Sequence, residues 1–411
     1  MKILLVCKSM KMENLGVMYL SAVAKKSGHE SKIVDLPKMV EQAHAWKPDI
    51  IGMSIMTGDQ DKFYAAVNKL KTSKLWRPKI VLGGPHVTFF PGDCKWADVI
   101  LPGEAENELS ELLGSDIRYP DINSIPWPDR TDFPGMAIRD FISSRGCPHA
   151  CSYCFNDQWN KLFPNLDKVR TRSVKDVVSE IMSVNPQFVY FQDSCFAVSI
   201  RWMLDFSNLY SRKVGIPFHC HMRPDQVTDD RAYFLKKAGC YSIRIALETA
   251  SDKLRKLLNR RHATNTETIS AAKHLRRHGI KLMIQNILCL PTSTIEDDLA
   301  TLEVNIQANP DYSWCSIFVP YPGTVLGEYC VKNNWYNGNY KNISDSFFDR
   351  SVLNISSNYR EQSYYLQKVF ALCVQAKEVP HPEELTAERF PGLVHRLMRK
   401  SGDSILYGGV I

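Results

Sequence analysis

Cys147-Pro148-His149-Ala150-Cys151-Ser152-Tyr153-Cys154 follows the apolar run that ends in Phe141-Ile142, and its three closely spaced cysteines decide how the rest of the chain is read. Three thiolates at this spacing hold three corners of a 4Fe-4S cluster. No fourth cysteine follows at short range, so one iron is left for a ligand that is not protein. A zinc site wants a fourth Cys or His near by, and His149, inside the loop, is poorly placed to close a tetrahedron with its own neighbours. The rest of the 12 cysteines are scattered singly, mostly inside apolar runs, which speaks against disulfides and for reduced, buried thiols.

Around this loop, strand and helix patterns alternate. Strands are expected over residues 138–143, 188–192, 218–221, 242–247, 281–288 and 314–319, with helices over 174–184, 200–210, 230–237, 269–278 and 295–308. Such units make an open, partial (β/α)6 barrel, whose active residues belong at the carboxyl ends of its strands. The cysteine loop follows the first strand, Gln192-Asp193-Ser194 the second, His219 and His221-Met222-Arg223 the third, and Glu248-Thr249 the fourth. His219 and His221 alternate along a strand and share one face, either lining a substrate cavity or as satisfied core histidines.

Upstream, strands over residues 2–6, 31–34, 49–55, 79–82 and 98–101, with helices over 17–26 and 61–71, describe a doubly wound α/β domain. Ligands of such a sheet lie beyond the carboxyl ends of its strands. Those ends carry Gly52-Met53-Ser54-Ile55-Met56-Thr57, Gly83-Gly84-Pro85-His86 and Gly103-Glu104. Glycine admits close backbone approach to a bulky ligand, and the hydroxyls of Ser54 and Thr57 can donate hydrogen bonds.

The cysteine triplet, with Tyr153 before its last member, resembles the signature of the radical S-adenosylmethionine (SAM) superfamily. The resemblance implies that Cys147, Cys151 and Cys154 hold a catalytic 4Fe-4S cluster whose open iron binds SAM. It also implies that Tyr153, Gln192, Asp193 and Ser194 lie near the cofactor and that Glu248 lies near the ribose hydroxyls. Arg223 then pairs with the SAM carboxylate, whereas the plainer alternative for Glu248 is an ion pair with Arg244 or Arg223. Where relatives often carry Gly-Leu-Pro-Gly-Glu-Thr after the fifth strand, this chain reads Cys289-Leu290-Pro291-Thr292-Ser293-Thr294, with Thr294 and Asp297 as a helix-opening capping box.

Taken with that triplet, the glycine-bearing loops upstream look like the cobalamin-binding domain of cobalamin-dependent radical SAM enzymes. The resemblance places Leu15, Gly16, Ser54, Met56, Thr57, Gly83, Gly84, Pro85, His86, Gly103 and Glu104 at the cobalamin. The loop over residues 8–15 has no histidine, so a lower axial imidazole is missing, and His86 is assigned to packing or hydrogen bonding beside the corrin. The reading is therefore a Rossmann-like cobalamin domain over residues 1–117, a proline-rich linker over 118–136, the barrel over 137–330 and a mostly helical, substrate-covering tail over 331–411. The implied reaction is methylation of an unactivated carbon or a phosphorus centre. Cyclisation or rearrangement is the alternative, and methylthiolation is a third, disfavoured because only Cys7 and Cys94 lie upstream.

Composition agrees with such an enzyme. The chain has 411 residues, 44% of them hydrophobic, and no apolar segment long enough to span a membrane or act as a signal peptide. A reducing cytoplasm is the expected location, with an electron donor such as flavodoxin or ferredoxin and a small-molecule or peptide or protein substrate. The formal charge of +7 gathers around Arg255-Lys256, Arg260-Arg261-His262 and residues 273–278. These read as solvated helix faces, and no nucleic-acid partner is expected.

Overall fold

The computed structural model describes every residue except 71, 73–75, 341–342, 344–345 and 402–411, and the chain divides into two units, residues 1–140 and 141–411. The end of the helix expected to reach Lys71 and the last ten residues of the tail lie outside the described residues.

In the first unit, apolar runs form β1 (Lys2–Cys7), β2 (Glu30–Asp35), β3 (Ile50–Ser54), β4 (Lys79–Gly83) and β5 (Val99–Ile100). They pair in the order β2-β1-β3-β4-β5, parallel throughout. Strand β1 shows why its sequence is nearly all apolar. Ile3 and Leu5 pack with Val17 and Leu109 on one face, while Leu4 and Val6 pack with Met39 and Phe63 on the other. The order reverses between β1 and β3, which opens a crevice at the carboxyl ends of these strands. Helices Met39–Trp46, Pro85–Phe89 and Glu106–Leu112 were not expected, because each is too short to show a clear apolar period.

The proline-rich segment lies along this unit. Tyr119 and Phe133 are buried in its core, the Ile33 amide donates to Asp132, and Ser21 donates to Asp129. The buried carboxylate of Glu13 receives Arg130, Arg139 and the Asp140 amide, fixing the entry to the next strand.

That strand, β6 (Ile138–Phe141), contains the division between the units. A short antiparallel hairpin follows, β7 (Ser144–Gly146) with β8 (Val169–Thr171), and then β9 (Phe188–Phe191), β10 (Phe218–Met222), β11 (Cys240–Glu248), β12 (Lys281–Leu288) and β13 (Tyr312–Ile317). The main sheet runs β13-β12-β11-β10-β9-β6, so neighbours in sequence are neighbours in space, as a partial (β/α) barrel requires. Phe191, Phe218 and Ile243 of the sheet meet Phe206 of helix Ile200–Lys213 and form the main core. Helix Ser357–Ala376 of the tail packs on helix Ile295–Ala308 and on β13.

The turn after β12 joins these last elements. Cys289 and Thr292 both have positive φ, 59° and 70°, at the two positions where a Gly-Leu-Pro-Gly turn would carry glycine. The left-handed backbone is therefore kept without the residue that adopts it most easily. The Asp298 carboxyl compensates by accepting the Cys289 amide and the Tyr359 hydroxyl, and the expected capping box of Thr294 and Asp297 is present.

Burial pushes the Asp298 carboxyl up to about 8. An unfolded aspartate titrates near ~3.9, so over that interval the folded chain holds a proton that the unfolded chain has released. Stability from this group is full below pH ~4 and falls as the pH rises toward 8. Urea unfolding across this range should show wild type losing at least about 1 kcal/mol relative to Asp298→Asn; parallel curves would refute the assignment.

Candidate active site

The cysteine loop begins where β7 ends. Gly146 has φ of +90°, and a Cβ there would lie 2.1 Å from the Lys168 carbonyl, so the residue before Cys147 must be glycine. Beyond it the loop is tied down from one side. The Ser152 amide donates to the Leu258 carbonyl, its hydroxyl to the Leu257 carbonyl at 2.7 Å, and the Leu326 amide donates to the Ser152 carbonyl. Cys147 and Cys151 are buried and Cys154 is half-buried; all are free thiols.

Among the described residues, no three His, Cys, Asp or Glu side chains converge on a single metal ion. The chemistry of the cysteine loop suits a larger anionic group. Cys154 stands at the N-terminus of helix Phe155–Leu162, where the dipole favours negative charge, and Asn156 Nδ2 donates to Cys154 Sγ at 3.5 Å. Arg260 Nη1 lies 3.7 Å from Cys151 Sγ. Three sulfurs, an amide donor and a guanidinium fit a thiolate-ligated iron–sulfur cluster.

Arg260 belongs to a buried network. The Tyr153 hydroxyl donates to Glu248 Oε1 at 2.6 Å, and Arg260 donates to Tyr153 and to the Ala246 carbonyl. Burial raises the Glu248 carboxyl, with Arg260 and Tyr153 opposing the shift. Burial also works against the Arg260 charge, yet Tyr153, Glu248 and Cys151 more than offset it. Glu248 itself has φ of +67°, a conformation that a non-glycine residue holds only when its surroundings impose it.

The remaining expected SAM contacts divide. Ser194 lies 3.5 Å from Asn156 beside the cysteine loop, and Gln192 follows β9, its amide donating to the Phe141 carbonyl. Asp193 instead turns inward. Its carboxylate takes the Ser143 and Ser144 hydroxyls, each at 2.6 Å, and joins the ends of β6 and β9. Arg223 is held by Asp225 at 2.9 and 3.1 Å, so its guanidinium already has a carboxylate partner. Glu248 forms no ion pair with Arg244 or Arg223, because Tyr153 takes that place.

In the first unit, the loops after β3 and β4 cross closely. A Cβ on Gly84, whose φ is +93°, would lie 2.8 Å from both the Ile55 amide nitrogen and Ser54 Oγ. Thr88 links this crossing to the next loop, donating to the Gly84 carbonyl and accepting the Gly103 amide, both at 2.9 Å. His86, after Gly83 and Pro85, is buried; it shares a hydrogen bond with Thr57 at 3.3 Å, and burial lowers its pKa. Met56 is exposed, while Leu15 and Gly16 open the first helix, which Asn14 caps. Glu104 directly follows Gly103 in the third loop.

The basic run is mostly exposed, as Lys256, Arg261, His262 and Lys273 show, but part of it is used by the fold. Arg255 and Arg260 are buried, Arg276 donates to the Ala308 and Asn309 carbonyls, and Asp229 takes His274, Arg277 and His278. Arg260 was therefore hidden in what reads as a solvated charge cluster, and only its place shortly after Glu248 pointed to it.

Residues 141–304 match the Radical SAM superfamily and residues 1–113 the B12 binding domain. The chain is 25% identical over 373 residues to an uncharacterized methyltransferase of Pyrococcus horikoshii, covering 78% of this chain and 79% of that one. It is 25% identical over 423 residues to the anaerobic magnesium-protoporphyrin IX monomethyl ester cyclase of Rubrivivax gelatinosus, covering 86% and 74%. The fold is similar to that of the radical S-adenosylmethionine methyltransferase TsrM from Kitasatospora setae, solved with cobalamin and a [4Fe-4S] cluster, at a TM-score of 0.65 and 15% identity over 89% and 81% of the two chains.

Removing the buried Arg260 charge should leave Glu248 uncompensated. Arg260→Met is expected to cost about 3 kcal/mol in anaerobic urea unfolding, whereas the exposed neighbour Arg261→Met should change stability by less than about 0.5 kcal/mol. Equal effects would show that Arg260 is only another surface charge.

Proposed function

We propose that this chain, which belongs to the cobalamin-dependent radical SAM enzymes, methylates an unactivated carbon or a phosphorus centre of its substrate. The observation that carries the reading is the union, in one chain, of a three-cysteine loop without a fourth protein ligand and a flavodoxin-like sheet whose switch-point loops are built for close backbone approach. When bound, the cluster supplies the electron that cleaves SAM to a 5′-deoxyadenosyl radical, and the cobalamin supplies the methyl group.

The chain's own residues bind and orient. Cys147, Cys151 and Cys154 would hold the cluster, while the helix opened by Cys154 and the Arg260 guanidinium would offset its negative charge. Tyr153 uses its hydroxyl to fix one oxygen of Glu248, leaving the other to accept from the ribose of SAM. The crossing of Ser54 with Gly84 and the Thr88 bridge to Gly103 shape the corrin loops. His86, buried and bonded to Thr57, would pack beside the corrin.

The free state of all 12 cysteines supports a reducing cytoplasm, where a flavodoxin or ferredoxin would deliver the electron. Among the described residues, no helix is long and apolar enough to cross a membrane. Cyclisation is the second reading, favoured by the similarity to the Rubrivivax gelatinosus cyclase.

Anaerobic purification with cobalamin, followed by iron, sulfide and visible-spectrum analysis and by product mass, tests this. Methyl transfer predicts bound corrin and formation of both S-adenosylhomocysteine and 5′-deoxyadenosine, with Cys147→Ala losing the cluster and both products. Iron without corrin would sink the methyl-transfer reading. 5′-Deoxyadenosine without S-adenosylhomocysteine or added methyl mass would establish the cyclase reading in its place.

A further inference from the structure

The two faces of the barrel sheet differ sharply at β10 and β11. Phe218, Cys220, Met222, Ile243, Ile245 and Leu247 pack into the helix-covered core. The alternate residues, His219, His221, Ser242 and Arg244, lie on the opposite, inner face. His219 is fully buried, shares a 2.7 Å hydrogen bond with Ser242 through Nδ1 and leaves Nε2 without a partner. His221 meets the Tyr190 hydroxyl at 3.0 Å, and Tyr190 stacks on His219 with ring centroids 4.7 Å apart.

Arg244 stands directly across from His221 in the strand register. Its Nε is buried without a hydrogen-bond partner, and among the described residues no carboxylate lies within ion-pair distance of it. Burial holds both histidines neutral, at about 2 for His219 and about 3 for His221, and the Arg244 charge reinforces this. The sheet therefore presents inward a guanidinium that the protein itself does not neutralise, flanked by imidazole and phenol groups able to hydrogen-bond. A planar fork of N–H donors in partly desolvated surroundings is suited to a carboxylate or phosphate oxyanion.

Resting on the radical SAM reading of the barrel, we propose that this inner face binds an oxyanion group of the substrate, with Arg244 as its counter-ion and His221 and Tyr190 beside it. The substrate class is thereby narrowed to molecules carrying a carboxylate or a phosphate-type group. Arg244 serves as a specificity-determining residue, placed on β11 four residues before Glu248.

The test is thermal unfolding of the anaerobically purified protein, with inorganic phosphate or acetate titrated against chloride at matched ionic strength. Wild type should show a saturable rise of about 2–4 °C with at least one of the two oxyanions, and the more effective one identifies the group. Arg244→Met should remove that response and, by deleting an unneutralised charge, melt no lower than wild type without added anion. If Arg244→Met fails to fold, Arg244→Gln is titrated instead and should show at least tenfold weaker half-saturation. No response in wild type, or an unchanged response in the variant, which marks an adventitious surface site only, overturns the proposal. Loss of the wild-type response under saturating SAM also overturns it, because the site would then hold the carboxylate of SAM itself. Iron and corrin contents measured on the same samples report separately on the radical SAM reading, which fails if they are absent whatever the anion does.

Discussion

A guanidinium taken out of water must be met by groups fixed in place, and the candidate site is arranged around that demand at Arg260. At 4% exposure it satisfies the Ala246 carbonyl at the end of β11, the Tyr153 hydroxyl and the Cys151 sulfur at once. Those three atoms belong to a strand end and to the cysteine loop, so a single side chain sets the distance between them. The loop's other anchors, the carbonyls of Leu257 and Leu258, lie in the same segment as Arg260. The loop is thus positioned from the β11 side of the barrel, although in sequence it leaves β7. Breaking a buried, hydrogen-bonded charge leaves its partners uncompensated, which is why such a contact fixes geometry more firmly than its net contribution to stability suggests.

Backbone strain gathers at the same end of the sheet. Glu248, Cys289 and Thr292 all hold positive φ, and each follows or ends a barrel strand. Left-handed backbone is costly for a residue with a Cβ, most of all for a β-branched one such as Thr292. The packing that sustains it is visible: Asp298 receives the Cys289 amide, and Ser293 and Tyr359 close the turn beneath it. A sequence comparison that looks only for glycines would take this turn as lost. The carbonyls and amides nevertheless keep the direction that glycines would give them.

The fold was legible wherever apolar periodicity ran long enough. Helices Val174–Val184 and Ile295–Ala308 and strand β12 coincide with their expected ranges and the other barrel strands fall within two residues of theirs, because each presents a continuous buried face. The hairpin of β7 and β8 was not legible, since three residues on each side carry no period. Within the site, the cysteine spacing was direct evidence. Pair identities were not, because spacing says nothing of which acid a given arginine will meet: Arg223 finds Asp225 two residues away, and Glu248 finds Tyr153 instead of Arg244. The role of Asp193 was hidden for a related reason. Its serine partners lie on the preceding strand's loop, far off in sequence and adjacent only once β6 and β9 pair.

Charge shows the same limit from the opposite direction. A net excess of basic residues, clustered over residues 255–278, reads as a set of solvated helix faces. Folding distributes it otherwise: Asp229 gathers His274, Arg277 and His278, and Arg276 caps backbone carbonyls at a helix end. Part of the cluster is thus used by the chain itself, while Lys256, Arg261 and Lys273 stay on the surface. Arg244, set between apolar residues on β11 and inconspicuous there, is carried by the alternation of a strand to the inner face of the sheet, where no carboxylate among the described residues pairs with it. Strand periodicity alone therefore separates a charge used to build the fold from one left for something outside it.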